Sequence, residues 1–370
     1  MEKLKIVNVA GARPNFMKIA PLMEAYREFP AIEPVLVHTG QHYDERMSEL
    51  FFRQLGIPEP DVNLGVGSGS HGVQTGRIMA AFEPVLVEMR PHAVVVVGDV
   101  NSTIACGLVA VKLGVKLAHV EAGLRSGDRS MPEEINRILT DAIGDLLFCS
   151  EQSGVDNLRR EGVPAERIFL VGNVMIDTLL KNRAKAMAST ILEDLDLQAG
   201  QFAALTLHRP SNVDDPKVLG RILDALEVIQ RELPIICPIH PRTRRNLDGS
   251  AIGQRVLAMP KLRLIEPASY LDFLKLMASA KLVLTDSGGI QEETTILGVP
   301  CLTLRDTTER PITVQVGTNT VVGTDPERII AAYREAVGGR RGHTGTPPLW
   351  DGKAAHRIAE ILADKLAAGN

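Results

Sequence analysis

The chain has 370 residues, 45% of them hydrophobic and only 4% aromatic, with a formal net charge of −4. That length is enough for two domains of ordinary size, each with its own core. The scarcity of aromatic rings argues against a stacking platform for single-stranded nucleic acid, and the interspersed charge argues against broad polyanion binding, so no nucleic-acid partner is expected.

Short apolar runs alternate with longer helical patterns along the whole sequence. In the first half the strand-like runs are Ile6–Ala10, Val35–Thr39, Ala93–Val97, Lys116–Val120, Leu146–Ser150 and Ile168–Val171. They resume at Ala203–Leu207, Ile235–Ile239, Leu262–Ile265, Leu282–Thr285, Cys301–Leu304 and Thr320–Val322. Val94 to Val97 is apolar on both faces, as a strand covered by helices on each side must be. Such alternation predicts parallel sheets with right-handed crossovers, and this many strands predicts two sheets. The fold class is therefore α/β, with two Rossmann-like, doubly wound domains. The expected boundaries are residues 1–172, residues 173–350, and a last helical segment at 351–370. Asn173 to Ala188 reads as a helix leading into the charged segment Ser189 to Gln201, and Gly338 to Pro348 reads as a loop.

Cys106, Cys149, Cys237 and Cys301 are scattered without metal-ligand spacing, which predicts buried free thiols and no bound metal. Lys3 to Ala10 is too short for a secretory leader, and no run reaches membrane-spanning length. A cytoplasmic protein without a membrane partner is expected.

Ligands of open parallel sheets bind beyond the carboxyl ends of the strands. Polar residues collect at those ends in both halves, which favours an active site in an interdomain cleft. The most informative stretch runs from Leu282 to Pro311. An apolar strand is followed by Asp286-Ser287-Gly288-Gly289 and a helix carrying Gln291-Glu292-Glu293. Glycines admit close approach, and a helix N-terminus offers free N–H groups to an anion. A carboxylate one turn into the helix can reach a ribose hydroxyl, so the unit suits a nucleoside diphosphate. The alternative is an ordinary strand-to-helix turn with acids near the helix dipole.

Arg13 and Lys18 follow the first strand and suit a phosphate, unless they are surface residues. Asp99 and Glu121 end neighbouring apolar strands, at dry edges where a carboxyl pKa rises toward the range useful for proton transfer. Glu133 opens a helix and either joins them or simply pairs with Arg137 four residues on. His208 and Arg209 end the first strand of the second half, and His240 ends the next. These residues suit leaving-group stabilisation or are satisfied strand-end residues. No GxGxxG follows the first strand, so no bound nicotinamide and no other cofactor is expected.

Eight segments in order resemble the non-hydrolysing UDP-N-acetylglucosamine 2-epimerases. They are Gly11-Ala12-Arg13-Pro14, Gly98-Asp99, His119 to Arg125, Pro132 to Arg137, Gly172 to Asp177, Leu207-His208-Arg209, Asp286 to Glu293 and Arg305 to Pro311. The resemblance spans nearly the whole chain and implies a glycosyltransferase-B-type fold, a last helix crossing back to the first domain, and a homodimer. It implies that Arg13, Ser287, Gly288 and Gly289 hold the diphosphate of a UDP-sugar and Glu293 its ribose. It further implies that Phe273 lies by the uracil and that Arg310 helps hold the substrate. Asp99, Glu121 and Glu133 are the implied acid–base carboxylates, with His208 near the diphosphate. The implied reaction inverts C2 by anti elimination of UDP to a 2-acetamidoglucal and re-addition after protonation on the opposite face, with closure about a hinge at Gly172.

Three positions depart from the family pattern: Asn15 stands where many members carry Glu, Pro210-Ser211-Asn212 follows His208-Arg209, and Ala268 replaces a Gln of some bacterial members. Gln41 and His42 match part of an activator site, but Gly67 to His71 lacks the Arg-Gln pair expected there, which predicts weak or absent activation by substrate. The alternative functions are a hydrolysing epimerase that releases N-acetylmannosamine and UDP, a UDP-sugar glycosyltransferase, and a non-catalytic sensor.

Overall fold

A segment such as Val94 to Val97 has no polar side chain to offer water on either face, so it is stable only inside a parallel sheet layered by helices. In the computed structural model it is wholly buried. The structure describes residues 3–40, 56–339 and 345–367, apart from the side chain of Arg13; Gln41 and His42 lie outside the described residues. Contacts divide the chain into two compact units. The N-terminal unit is Met1–Lys181 with Pro348–Asn370, and the C-terminal unit is Asn182–Pro347.

The N-terminal unit contains β1 (Leu4–Ala10), β2 (Ile32–His38), β3 (Val62–Asn63), β4 (Ala93–Val97), β5 (Lys116–Val120), β6 (Leu146–Cys149) and β7 (Ile168–Leu170). They form one parallel sheet in the order β3-β2-β1-β4-β5-β6-β7. The C-terminal unit contains β8 (Ala203–Thr206), β9 (Ile235–Pro238), β10 (Leu262–Ile265), β11 (Leu282–Thr285), β12 (Cys301–Thr303) and β13 (Asn319–Val321), in the parallel order β10-β9-β8-β11-β12-β13. Both sheets are doubly wound. Strand order reverses between β1 and β4 in one and between β8 and β11 in the other, and a crevice opens at such switch points. Each strand run expected from the sequence forms. The two-residue edge strand β3 is additional, because a pair of residues carries no readable periodicity. All four cysteines are free and buried. Among the described residues, no helix is long and apolar enough to cross a membrane.

The helix Val174–Met187 crosses the unit boundary rather than following it. Its first turns belong to the N-terminal unit, where Thr178 Oγ1 donates to Met17 O at 2.6 Å. Asp177 on the same helix accepts from Ala354 N and Ala355 N, and so caps the last helix, Ala354–Ala367. Trp350 Nε1 donates to Ser150 O at 2.9 Å and fixes the approach to that helix. Gly172 is not placed as a hinge. It is buried inside the N-terminal unit at φ +90, and a Cβ there would collide with the Leu349 carbonyl. Its glycine serves close packing.

Candidate active site

In the N-terminal unit, the chain leaving β1 must turn into the helix Arg13–Ala25. Asn15 makes that turn rigid. Its Oδ1 accepts from Gly11 N at 3.0 Å and Ala12 N at 2.8 Å, and its amide donates to Val97 O at 3.0 Å. A carboxylate at this position has no donor for Val97 O. The Asn is thus a clasp between the ends of β1 and β4, the two strands at the switch point.

One helical turn on, the Lys18 ammonium forms a buried ion pair with the Glu121 carboxylate. Gly98, just past β4, has φ +67, a left-handed conformation that favours glycine, and a Cβ there would crowd Lys18 Nζ at 2.7 Å. Lys18 was expected as a phosphate ligand; its observed partner is Glu121. Glu121 itself has φ +74, a left-handed conformation that costs a non-glycine residue roughly 1 kcal/mol or more. It is held there by Glu121 N and Ala122 N, which both donate to Phe148 O at 3.0 Å.

Asp99 departs from the expected dry edge. Its side chain is 26% exposed, and its carboxylate lies 3.6 Å from the Arg137 guanidinium. The reason is local: the buried run stops at Val97 and Gly98 turns the chain, so Asp99 is already beyond the sheet. Its backbone oxygen accepts from Asn136 Nδ2 at 2.9 Å. Val97 and Val120 are paired neighbours, so Asp99 and Glu121 leave adjacent strands side by side.

The helix Pro132–Ile143 carries Glu133, half-buried in its first turn, together with Glu134, Asn136 and Arg137. Arg137 is buried and lies 3.3 Å from Glu134 as well as beside Asp99. None of its three guanidinium nitrogens makes a hydrogen bond. Buried donors left in that state are costly and mark a place for a ligand or an ordered water.

In the C-terminal unit, Asp286 follows β11 and is fully buried. Its carboxylate accepts from His208 N at 3.0 Å and Arg209 N at 2.9 Å, and lies 2.9 Å from His208 Nδ1. Burial raises a carboxyl, but the hydrogen bond and charge of His208 and the two N–H donors outweigh it and hold Asp286 below its ordinary range. An ionised Asp286 fixes Nδ1 of His208 as the donor and leaves Nε2 for other chemistry. The His240 ring lies 5.6 Å from that of His208. His240 caps the helix Pro241–Leu247, its Nδ1 accepting from Arg242 N at 3.2 Å.

Ser287 is the N-cap of the helix Gly288–Leu297. First-turn N–H groups of a helix have no carbonyl four residues back, so this turn presents donors to an anion. Gly288 has a second role: a Cβ there would lie 2.5 Å from Arg310 and 2.8 Å from Glu309. Arg310 is buried and donates from Nε to Glu292 at 2.7 Å and from a terminal nitrogen to Glu309 at 2.6 Å. Arg305 donates to the other oxygen of Glu309 at 2.8 Å. Glu293 lies 3.2 Å from Tyr270 OH, and burial pushes its carboxyl up to about 8. Phe273 is half-buried on the same helix as Tyr270, and Arg209 lies 4.0 Å from Glu309.

The expected residues thus fall into two sets, one at the strand ends of each unit. Sequence reasoning did not single out Asp286, Glu309, Asn136 or the buried pair His119 and Asp141. Asp286 carried a signal, an acid directly after an apolar strand.

Two doubly wound parallel sheets with their polar groups at the strand ends define a glycosyltransferase-B-like fold. The sequence profile of the UDP-N-acetylglucosamine 2-epimerase family matches residues 24–363, and the chain belongs to that family. It is 43% identical over 369 residues to a UDP-N-acetylglucosamine 2-epimerase of Methanocaldococcus jannaschii, covering 97% of this chain and 99% of that one. It is also 43% identical over 363 residues to a UDP-2,3-diacetamido-2,3-dideoxy-D-glucuronate 2-epimerase of Pseudomonas aeruginosa, covering 97% and 99%. Among solved structures, the M. jannaschii UDP-GlcNAc 2-epimerase in complex with UDP-GlcNAc and UDP superposes with a TM-score of 0.91 at 42% identity, covering 97% of this chain and 99% of that chain.

Proposed function

We propose that the protein interconverts UDP-N-acetylglucosamine and UDP-N-acetylmannosamine without net hydrolysis. The C2 hydrogen of a resting sugar nucleotide is not acidic. Departure of UDP from C1 gives that carbon positive character and weakens the adjacent C–H bond. A carboxylate then takes the C2 proton as the C1–O bond breaks, leaving UDP and a 2-acetamidoglucal. A proton returned to the other face of C2, with re-formation of the C1–O bond, gives the epimer. Atoms balance, and no cofactor enters.

Asp99, Glu121 and Glu133 exchange the protons in this reading. Ser287, Gly288 and Gly289 hold the diphosphate with Arg13, His208 Nε2 stabilises it as it leaves, and Glu293 and Phe273 hold the ribose and uracil. Arg209, His240 and Arg310 shape the nucleotide end. The observation that carries the proposal is the pair of carboxylates Asp99 and Glu121 leaving adjacent strands, with Asp99 beside buried Arg137, whose ion-paired guanidinium makes no hydrogen bond. A sugar hydroxyl or acetamido oxygen supplies the missing hydrogen-bond acceptor. Homodimerisation is part of the same proposal: Val73 and Val87, and Ile135 and Leu139, are exposed apolar residues on two helices of the N-terminal unit, and a monomer mass by sedimentation would contradict it.

The test uses purified protein and UDP-N-acetylglucosamine alone. Expected is an equilibrium mixture of both UDP-sugars with trace free sugar. Stoichiometric N-acetylmannosamine and UDP indicates the hydrolysing enzyme, and an unchanged substrate contradicts both. The Pseudomonas relative's name makes a diacetamido uronic acid the second substrate to offer.

A further inference from the structure

His119 occupies the penultimate position of β5, among Leu117, Ala118 and Val120, and is fully buried. An apolar side chain would satisfy packing there. Instead Nδ1 lies 2.7 Å from Asp141 Oδ1 and Nε2 lies 2.8 Å from the Gly98 carbonyl oxygen. Asp141 is 1% exposed, and its other oxygen accepts from Gly123 N at 3.0 Å and from Arg125 at 2.7 Å. Burial raises the Asp141 carboxyl, but the charges and hydrogen bonds of His119 and Arg125 prevail and hold it below its ordinary range. With Asp141 ionised, both ring nitrogens of His119 face oxygen acceptors.

The connections of this pair are what matter. Gly98 directly precedes Asp99. Gly123 lies two residues after Glu121, whose own backbone leaves the strand that carries His119. Asp141 sits on the helix that carries Glu133, and that helix also grips Asp99 through Asn136. Two side chains therefore tie the backbones of all three carboxylates together. Neither is exposed enough to meet a substrate.

We propose that the His119–Asp141 pair is a positioning device that fixes the spacing of Asp99, Glu121 and Glu133, so that it acts on proton transfer and not on nucleotide binding. The inference rests on the epimerase reading above. A misplacement of about 1 Å at a reacting centre costs on the order of 100-fold in rate, and a buried hydrogen-bonded pair is the means to prevent one.

The test compares full-length His119→Gln, Asp141→Asn and Arg125→Gln with the unaltered protein. Glutamine donates from one nitrogen only, so it cannot serve Gly98 and Asp141 together. Measured are kcat and KM for epimerisation, the Kd for UDP by calorimetry, and the melting temperature. His119→Gln and Asp141→Asn are expected to lower kcat about 100-fold while KM and the UDP Kd stay within about threefold. Arg125→Gln, which loosens Asp141 and also gives up the Arg125–Glu161 pair at the surface, is expected to lower kcat roughly tenfold and keeps the test decisive if the other two do not fold. A folded variant with unchanged kcat overturns the proposal, as does an equal loss of kcat and UDP affinity. Unaltered protein that never converts substrate instead overturns the epimerase reading, and the positioning role with it.

Discussion

At the strand ends of the N-terminal unit, Glu121 and Lys18 form one buried ion pair, Glu121 has a left-handed backbone, and Arg137 has three buried nitrogens without hydrogen bonds. At those of the C-terminal unit, Asp286 accepts from two N–H groups and a histidine, and Arg310 is shared between Glu292 and Glu309. Both regions bury charge. The first leaves donors open and backbone strained, as suits groups that must change partners during a reaction. The second holds Asp286 and Arg310 on several partners each, leaves one buried nitrogen of Arg305 without a hydrogen bond, and presents one open helix turn, as suits a fixed anion site. On the proposed reading, chemistry and nucleotide binding are separable between the units, and each prediction below tests that separation.

The largest effect is expected from Glu121→Gln. Loss of a general acid–base carboxylate should lower kcat by on the order of 1000-fold, with UDP affinity unchanged. Rate assays paired with calorimetry check this, and a parallel loss of UDP binding would break the separation. Next, Arg310→Met leaves Glu292 and Glu309 short of a counter-charge. It should weaken UDP binding by about 100-fold and destabilise the fold by roughly 3–5 kcal/mol, read by calorimetry and by denaturant titration.

A smaller effect sharpens the contrast through pH. Burial raises Glu293 from 4.5 to about 8, and raises Asp177 in the N-terminal unit from 3.8 to about 6. Each folded value lies above the unfolded one, so the folded state binds the proton more tightly and stability falls as pH rises through the window. For Asp177 that window is roughly pH 4 to 6, and for Glu293 about pH 4.5 to 8. Glu293→Gln should therefore gain nothing near pH 4 and a melting-temperature advantage that grows up to pH 8. Between pH 6 and 8, Asp177→Asn should show a flat difference. A Glu293→Gln advantage that shrinks with pH would contradict the assignment. The smallest effect is Asn15→Ala, which leaves Gly11 N and Ala12 N without their side-chain acceptor, while Val97 O keeps the Thr103 hydroxyl, and should cost about 1–3 kcal/mol of stability by chemical denaturation.

Much of this was legible in the sequence because the physics is local. Val94 to Val97 can only be a covered strand, and Asp99, Glu121, His208 and Ser287 sit at strand ends because they follow such runs directly. What stayed hidden depends on partners distant along the chain. His119 and Asp141 are 22 residues apart, His208 and Asp286 are 78 apart, and no spacing rule links them. Gly172 reads as a hinge, and the Leu349 carbonyl packed against it, 177 residues on, is not visible in the sequence. Lys18 reads as a phosphate ligand, and its ion pair with Glu121, 103 residues on, is not visible in the sequence. Asp99 reads as dry because the strand before it is apolar, yet the turn at Gly98 carries it to the edge.

The most direct test of the central claim is deuterium uptake at C2. The unaltered protein and Asp99→Asn are incubated with UDP-N-acetylglucosamine in deuterium oxide and followed by proton NMR. The account predicts that the unaltered protein replaces the C2 proton with deuterium as the second epimer forms, and that Asp99→Asn slows this by on the order of 1000-fold while still binding UDP. Epimer formed with its C2 proton retained, or an Asp99→Asn variant that exchanges at the unaltered rate, would contradict it.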